Sequence, residues 1–382
     1  MRTPSARKAP HVLIVADAID SGIWSYLKIC MNALDEHSWS YSAAYSTHRP
    51  STQIDNVSTL KERTGGSLCD LRIGPQLNPL RDLRGLYRLV CFFVSTRPDI
   101  LFSHSSKPGI LCRILAKVFK VPHVHIPHAY YGFKDMNRGL LSKFFSLVER
   151  IFQGNEILIH NSIDEDLFAK TQIKLRNRSR VIPLTVSMPI CSHENTQGAL
   201  TGEVKICFFG RYEKQKQPFR FLDLAEKLQN VAGVSFIMSG FGSMERDLEA
   251  RASRIKSFRF FTHQASETIL SQAHVFVLPS LYEAGLPFVM LEAMSHGCYV
   301  LAARCPGLMH PPVLPEDVAF YDPTQEGDDV AKLEGLISKL RSAGTRSNQN
   351  RDYIGTNHSQ KAFAGSLILT LKSALAKNEG HD

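Results

Sequence analysis

One pattern constrains this chain more than any other: short, mostly apolar runs alternate with longer segments whose apolar residues recur at helical spacing. The runs are His11–Ala16 (HVLIVA), Asp99–Ser103 (DILFS), His123–Ile126, Val204–Phe209 (VKICFF), Val234–Met238 (VSFIM), Val275–Leu278 (VFVL) and Tyr299–Ala302. A run too short for a helix and apolar on both faces reads as a strand buried on both sides. Between the runs lie helical patterns near 23–34, 80–94, 109–119, 218–228, 244–254, 267–273 and 287–296. Strands separated by helices must be parallel, because a parallel neighbour needs a crossover connection. The expected class is therefore α/β, with doubly wound Rossmann-like sheets.

A chain of 382 residues exceeds one ordinary core. The periodicity lapses around Pro189, Ser192, Asn195, Thr196, Gln197 and Gly198 and restarts at Val204. This divides the chain into a first domain over 1–185, a linker over 186–203 and a second domain over 204–357, with a C-terminal helix over 358–382. The segment 344–350 is polar and reads as a loop.

Composition narrows the setting. No stretch approaches the roughly 20 apolar residues of a membrane span, and the run from Val12 to Ala16 is too short for a signal-peptide core. The expectation is a cytoplasmic protein. The eight cysteines are scattered without a C-x-x-C pair and read as reduced thiols. Net charge is +9, which favours anionic partners. Arg81, Arg84 and Arg88, then Arg113, Lys117 and Lys120, form a basic face suited to peripheral contact with an anionic inner membrane, and equally to plain solvation. No aromatic–basic interleaving points to nucleic acid.

Three loops carry chemistry. In LPSLYEAGLPFVMLEAMSHGCYVLAA (278–303) a strand ends at Pro279, a turn holds Glu283 and Gly285, and a helix begins near Pro287 with Glu292 two turns in. Ligands of doubly wound sheets bind at the carboxyl ends of the strands. Glu283 falls there, and Gly285 with the helix start can receive a phosphate. Glu292 sits among Val289, Met290, Leu291, Ala293 and Met294, where a carboxylate needs hydroxyl or cationic partners; a surface glutamate on an amphipathic helix is the plainer reading. Gly210-Arg211-Tyr212-Glu213-Lys214-Gln215-Lys216 follows VKICFF, and Arg211 with Lys216 can converge on a diphosphate, or both can simply face solvent. Ser239-Gly240-Phe241-Gly242-Ser243 follows VSFIM, and its two glycines permit close approach to a nucleoside.

Together, in this order, the three loops resemble the donor half of the retaining family-4 glycosyltransferases of bacterial polysaccharide biosynthesis. That family shows G-R-x4-K, G-x-G and a glutamate pair with seven residues between them before A-M-A-x-G. Here Glu283 and Glu292 enclose eight residues, as though Ala284 were inserted. The resemblance implies the GT-B fold, two Rossmann-like domains facing across a cleft. It implies metal-independent transfer, with no cofactor beyond a nucleoside-diphosphate-sugar donor, to a lipid-linked or glycan acceptor. Arg211 and Lys216 would stabilise the leaving diphosphate. Glu283, Gly285 and Leu286 would hold the donor sugar, Glu292 the ribose, and Gly210, Gly240 and Gly242 the nucleotide backbone. In the first domain SHSSKPGILCR (103–113) and VPHVHIPHAYYGF (121–133) resemble the acceptor-side pattern, placing His128 near the donor sugar, with His104 and Lys107 as further contacts. Gly22, after the first strand, takes the place of a diphosphate-approaching glycine. Other readings stay open: a non-catalytic or partner-dependent GT-B subunit, or a sugar epimerase of the same fold. An NAD-type oxidoreductase is disfavoured because DAIDSGIWS lacks G-x-G-x-x-G.

Overall fold

The structure, a computed structural model, describes residues 9–48, 54–74, 76–134, 139–186 and 202–378. Most of the expected linker lies outside these residues. The chain divides into two units, Met1–Pro183 with Gln360–Asp382, and Leu184–Ser359.

In the first unit the order is β1 (His11–Ala16), α1 (Ser21–Glu36), β2 (Ser40–Tyr45), α2 (Ile54–Arg63), β3 (Leu68–Asp70), α3 (Pro79–Thr96), β4 (Ile100–His104), α4 (Ser106–Phe119), β5 (His123–Ile126), α5 (Tyr131–Lys134), α6 (Leu140–Ile151), β6 (Ile157–His160), α7 (Ile163–Phe168) and β7 (Ser179–Val181). The strands form one parallel sheet ordered β3-β2-β1-β4-β5-β6-β7. Leu13, Val15, Leu101, Leu89, Phe93, Cys112 and Leu115 join β1 and β4 to α3 and α4 in a core on one face.

The second unit runs β8 (Val204–Arg211), α8 (Pro218–Leu228), β9 (Val234–Phe241), α9 (Glu245–Ala252), β10 (Phe258–Thr262), α10 (Ser266–Leu270), β11 (Val275–Leu278), α11 (Phe288–Ser295), β12 (Tyr299–Ala303), β13 (Val318–Tyr321), α12 (Asp328–Ala343) and α13 (Asn348–Asn357). Its parallel sheet is ordered β10-β9-β8-β11-β12-β13. Helix α14 (Gln360–Asn378) packs on α1 of the first unit, with Phe363 edge-on to Tyr26 at 5.6 Å.

Both sheets have the doubly wound form. Each chain path leaves the middle in one direction and later resumes on the other side, so a crevice opens between β1 and β4 in the first unit and between β8 and β11 in the second. The polar stretch 344–350 is only half a loop. Ser347 Oγ accepts from Asn350 N at 3.0 Å and starts α13 at Asn348, because a capping serine outweighs the weak helix propensity of the asparagines after it.

Candidate functional site

Parallel strands bring all their carboxyl ends to one edge, so the loops after β8, β9 and β11 are neighbours in the second unit. The loop after β8 and the turn after β11 straddle the crevice and are joined. Lys216 Nζ donates to Glu283 Oε1 at 2.5 Å, with both side chains largely buried. The backbone repeats the tie: Leu281 N donates to Gln215 O at 2.8 Å, and Gln215 Nε2 donates to Tyr282 O at 3.0 Å. Arg211 is held within its own loop, Nη1 on Glu213 at 2.9 Å and Nη2 on Gln215 Oε1 at 3.1 Å. Two cations and a carboxylate that are distant in sequence therefore share one hydrogen-bonded loop pair.

These contacts leave donor capacity. An ammonium has three N–H groups and a guanidinium five; Lys216 engages Glu283, and Arg211 engages Glu213 and Gln215. Preorganised N–H donors of this kind are what a departing diphosphate requires.

The turn around Glu283 is built from below. Glu283 N donates to Pro306 O at 2.9 Å. A Cβ on Gly307 would lie 1.8 Å from Glu283 O, so only glycine lets the segment after β12 support the turn. Gly285 adopts φ 154°, a region side chains avoid, and Leu286 is buried beside it. Helix α11 then begins, with Glu292 half-buried in its second turn.

The glycines of the second loop also have a role within the chain itself. A Cβ on Gly240 would meet Gly210 O at 1.9 Å, and one on Gly242 would meet Tyr212 O at 2.7 Å. Both are required by the pairing of the ends of β8 and β9, whatever else approaches them. Gly210 is less constrained, its nearest neighbour being Phe208 Cζ at 3.6 Å. Gly22 is exposed in the first turn of α1 with nothing within 4 Å of a Cβ, so no contact within the chain demands a glycine there.

In the first unit, His128 sits just beyond β5, beside the crevice. His104 Nδ1 and His128 Nε2 lie 3.1 Å apart, one donating and the other accepting. Tyr26 meets both rings edge-on. Burial, with His128 alongside, holds the His104 imidazole well below the usual histidine range, so it is neutral. His128 and Ala129 both take positive φ, 53° and 73°, conformations that cost free energy without glycine. The buried Glu165 carboxylate fixes them: Ala129 N donates to Oε1 at 2.6 Å and Asn161 N to Oε2 at 3.0 Å.

Two expected contacts go elsewhere. Lys107 Nζ is engaged by both Asp82 oxygens, at 2.9 and 3.0 Å, and by the carbonyls of Gly74 and Gln76, which leaves its donors nothing to offer a phosphate. Arg113 leaves the basic face altogether: it is buried, with Nη1 on Glu149 at 2.6 Å and Nε on Glu156 at 2.8 Å. His123 and His125 share Ser103 Oγ at 2.7 and 2.8 Å.

Gln215, Gly307, Glu165 and Tyr26 complete the two sites and escaped the sequence reading. Gln215 lies inside the G-R-x4-K loop, and a polar residue facing a second loop was the available signal. For the other three, contact depends on tertiary placement that spacing does not encode.

Residues 203–332 match the family described as Glycosyl transferases group 1. Over 247 residues the chain is 28% identical to the UDP-Gal:alpha-D-GlcNAc-diphosphoundecaprenol alpha-1,3-galactosyltransferase of Escherichia coli, covering 60% of this chain and 63% of that protein. It spans less than two thirds of the length of the curated relatives it matches. Among solved structures, sucrose-phosphate synthase from Thermosynechococcus elongatus superposes with a TM-score of 0.76 at 16% identity, covering 97% of this chain and 100% of that one. Anabaena HepE in complex with UDP and glucose gives 0.73 at 14%, covering 95% and 100%. The two doubly wound units are those of the GT-B fold, and the chain carries in its second half a family-4-like Glycosyl transferases group 1 domain.

Proposed function

We propose that this protein transfers a sugar from a nucleoside diphosphate to a lipid-linked glycan acceptor, with retention at the anomeric carbon, in the assembly of a cell-surface polysaccharide. The observation that carries the reading is the Lys216–Glu283 pair across the β8/β11 crevice, with Arg211 in the same loop. In this reading Lys216 and Arg211 turn their remaining donors to the diphosphate and stabilise the charge that develops as it leaves. Glu283 and the N–H groups of the Gly285-Leu286 turn hold the donor sugar, and Glu292 holds the ribose. His128 orients the sugar or the acceptor hydroxyl, whose proton passes to the departing phosphate. Retention is assigned from the resemblance of the G-R-x4-K loop and the glutamate pair. The lipid-linked acceptor follows the activity named for the Escherichia coli relative. A nucleoside diphosphate donor agrees with the UDP held by the Anabaena neighbour. No helix among the described residues is long and apolar enough to cross a membrane, so such an acceptor would be met at the membrane face, and the net charge of +9 suits anionic headgroups.

Calorimetric titration with UDP, GDP and ADP, repeated on Glu292→Gln, tests the donor site. One nucleotide should bind selectively and the substitution should weaken it about tenfold or more, as for a lost charged hydrogen bond. Binding of none of the three would overturn the assignment.

A further inference from the structure

Behind the His128 turn lie three side chains that have no part in the proposed transfer, Tyr130, His160 and Asp166. Tyr130 is 1% exposed and His160 is fully buried. The Tyr130 hydroxyl and His160 Nε2 are 3.0 Å apart, and His160 Nδ1 is 3.0 Å from Asp166 Oδ1. The two ends fix where the protons sit. Burial pushes the Tyr130 hydroxyl well above its ordinary range, so it keeps its proton and donates. The hydrogen bond from His160 holds the Asp166 carboxyl well below the usual carboxylate range, so it only accepts. Lys170, one helical turn on, donates to the other Asp166 oxygen at 2.7 Å. The His160 tautomer with its proton on Nδ1 then satisfies the whole chain: Tyr130 O–H to Nε2, and Nδ1–H to Asp166.

This chain acts on the same short turn as Glu165. His128 and Ala129 both take positive φ, and two such residues in succession persist only where their surroundings over-determine them. Glu165 accepts from the Ala129 N–H, and Asp166, the next residue of α7, reaches Tyr130 through His160. Consecutive residues of α7 therefore hold consecutive residues of the turn, one by its backbone and the other by its side chain. The start of α7 is itself fixed, since Ser162 Oγ accepts from Glu165 N at 3.1 Å. A buried tyrosine hydroxyl needs only some acceptor. A histidine held from behind by a carboxylate is an acceptor with one lone pair in one place, which specifies position as well as satisfying the hydroxyl. We infer that Tyr130, His160 and Asp166 are positioning residues for His128, fixing the far end of its turn and with it where the imidazole stands, 3.1 Å from His104 Nδ1. The inference rests on the proposed transfer for its purpose, while the placement of His128 that it asserts is measurable without it.

The test uses the full chain. Tyr130→Phe keeps the ring and removes only the hydroxyl; Asp166→Asn, at the more open end of the chain, is the second variant should the first fail to fold. Imidazole nitrogen resonances are recorded in protein carrying isotope-labelled histidine, with His128 assigned by its loss in His128→Ala. The His128 resonances should move in both variants, although neither substituted residue bonds to His128. At saturating donor and acceptor, Tyr130→Phe should lower kcat by about tenfold and leave UDP affinity in calorimetry unchanged. Added to His128→Ala it should lower kcat by no more than about twofold, because it acts through a side chain already removed. A purely structural role would cost the same factor in both backgrounds, and that result overturns the inference. So do His128 resonances that stay in place in the folded variants. Wild type that transfers no sugar, with the His128 resonances moving as expected, would refute the transferase reading and leave the positioning of His128 standing.

Discussion

Replacing Lys216 with methionine separates the two roles that its pair with Glu283 combines. The side chains are 13% and 6% exposed and their charged atoms are 2.5 Å apart. Lys216→Met keeps most of the packing volume and leaves a buried carboxylate without its cation. Breaking a buried pair from one side costs about 3–5 kcal/mol, and because Lys216 is partly open to water the lower end, about 3 kcal/mol, is expected. Adding Glu283→Gln removes the orphaned charge, so the double variant should recover to within about 1 kcal/mol of wild type. Transfer should not recover with it, since loss of one preorganised donor to developing charge lowers kcat by about 100- to 1,000-fold. The assay pairs urea unfolding with product formation at saturating donor. Both tryptophans, Trp24 and Trp39, belong to the first unit, so circular dichroism rather than tryptophan fluorescence must follow the second. Transfer by Lys216→Met within about threefold of wild type would refute the role of Lys216 at the leaving group. A single variant as stable as the double would refute the claim that the pair holds the two loops.

The glycines offer a contrast. Gly240→Ala, whose Cβ would meet Gly210 O at 1.9 Å, should destabilise the second unit by about 3 kcal/mol or more or prevent soluble expression, and a normal urea midpoint would contradict it. Gly22→Ala, in the open first turn of α1, should raise stability by up to about 1 kcal/mol while weakening donor binding; unchanged donor affinity by calorimetry would remove Gly22 from the site. Glu165→Ala should release the positive-φ turn at His128 and Ala129, cutting transfer at least about tenfold with UDP affinity retained, and equal kcat in the variant would show the turn to be dispensable. Acid should unfold the first unit early. Burial holds His123 down to about 3 and His104 and His125 well below the usual range, so each is neutral when folded and takes up a proton when unfolded. Stability should be full above about pH 6.5 and fall by about 1.4 kcal/mol per pH unit for each such histidine below it, levelling off for His123 near 3. A flat urea midpoint between pH 6.5 and 5 would refute it.

What the sequence disclosed, and what it withheld, follows from which physics is local. Strand runs such as HVLIVA and VKICFF are legible because a strand buried on both faces leaves no other pattern, and both appear as central strands of their sheets. Helix α3 is legible from its period and, in the structure, from Asn78 capping Arg81 N at 3.0 Å with Pro79 behind it. Helix α6 was not legible as a core helix, because its apolar face points away from the core and a buried ion pair does the anchoring. The same limit applies to Lys107, a cation in a motif until Asp82, twenty-five residues earlier, is seen to hold it.

The extra residue between Glu283 and Glu292 lies in a turn whose two ends are fixed separately. A turn one residue longer would ordinarily carry Glu283 out of register with the crevice. Two contacts hold Glu283, from two parts of the chain, and an adjacent glycine gives the turn room. Lys216 binds the Glu283 side chain from the loop after β8, Pro306 O binds its N–H from the segment after β12, and Gly307 leaves room for its carbonyl. Glu283 is thus held at its Oε1 and its N–H, and downstream Gly285 takes φ 154° and Pro287 precedes the first helical residue, Phe288. Glu292 then keeps its register with α11, because a helix counts from its own start and not from the turn before it. The spacing of the glutamates is thus a property of the linker between two independently fixed points, and the positions of Lys216 and Gly307 say more about the turn after β11 than the count of residues within it.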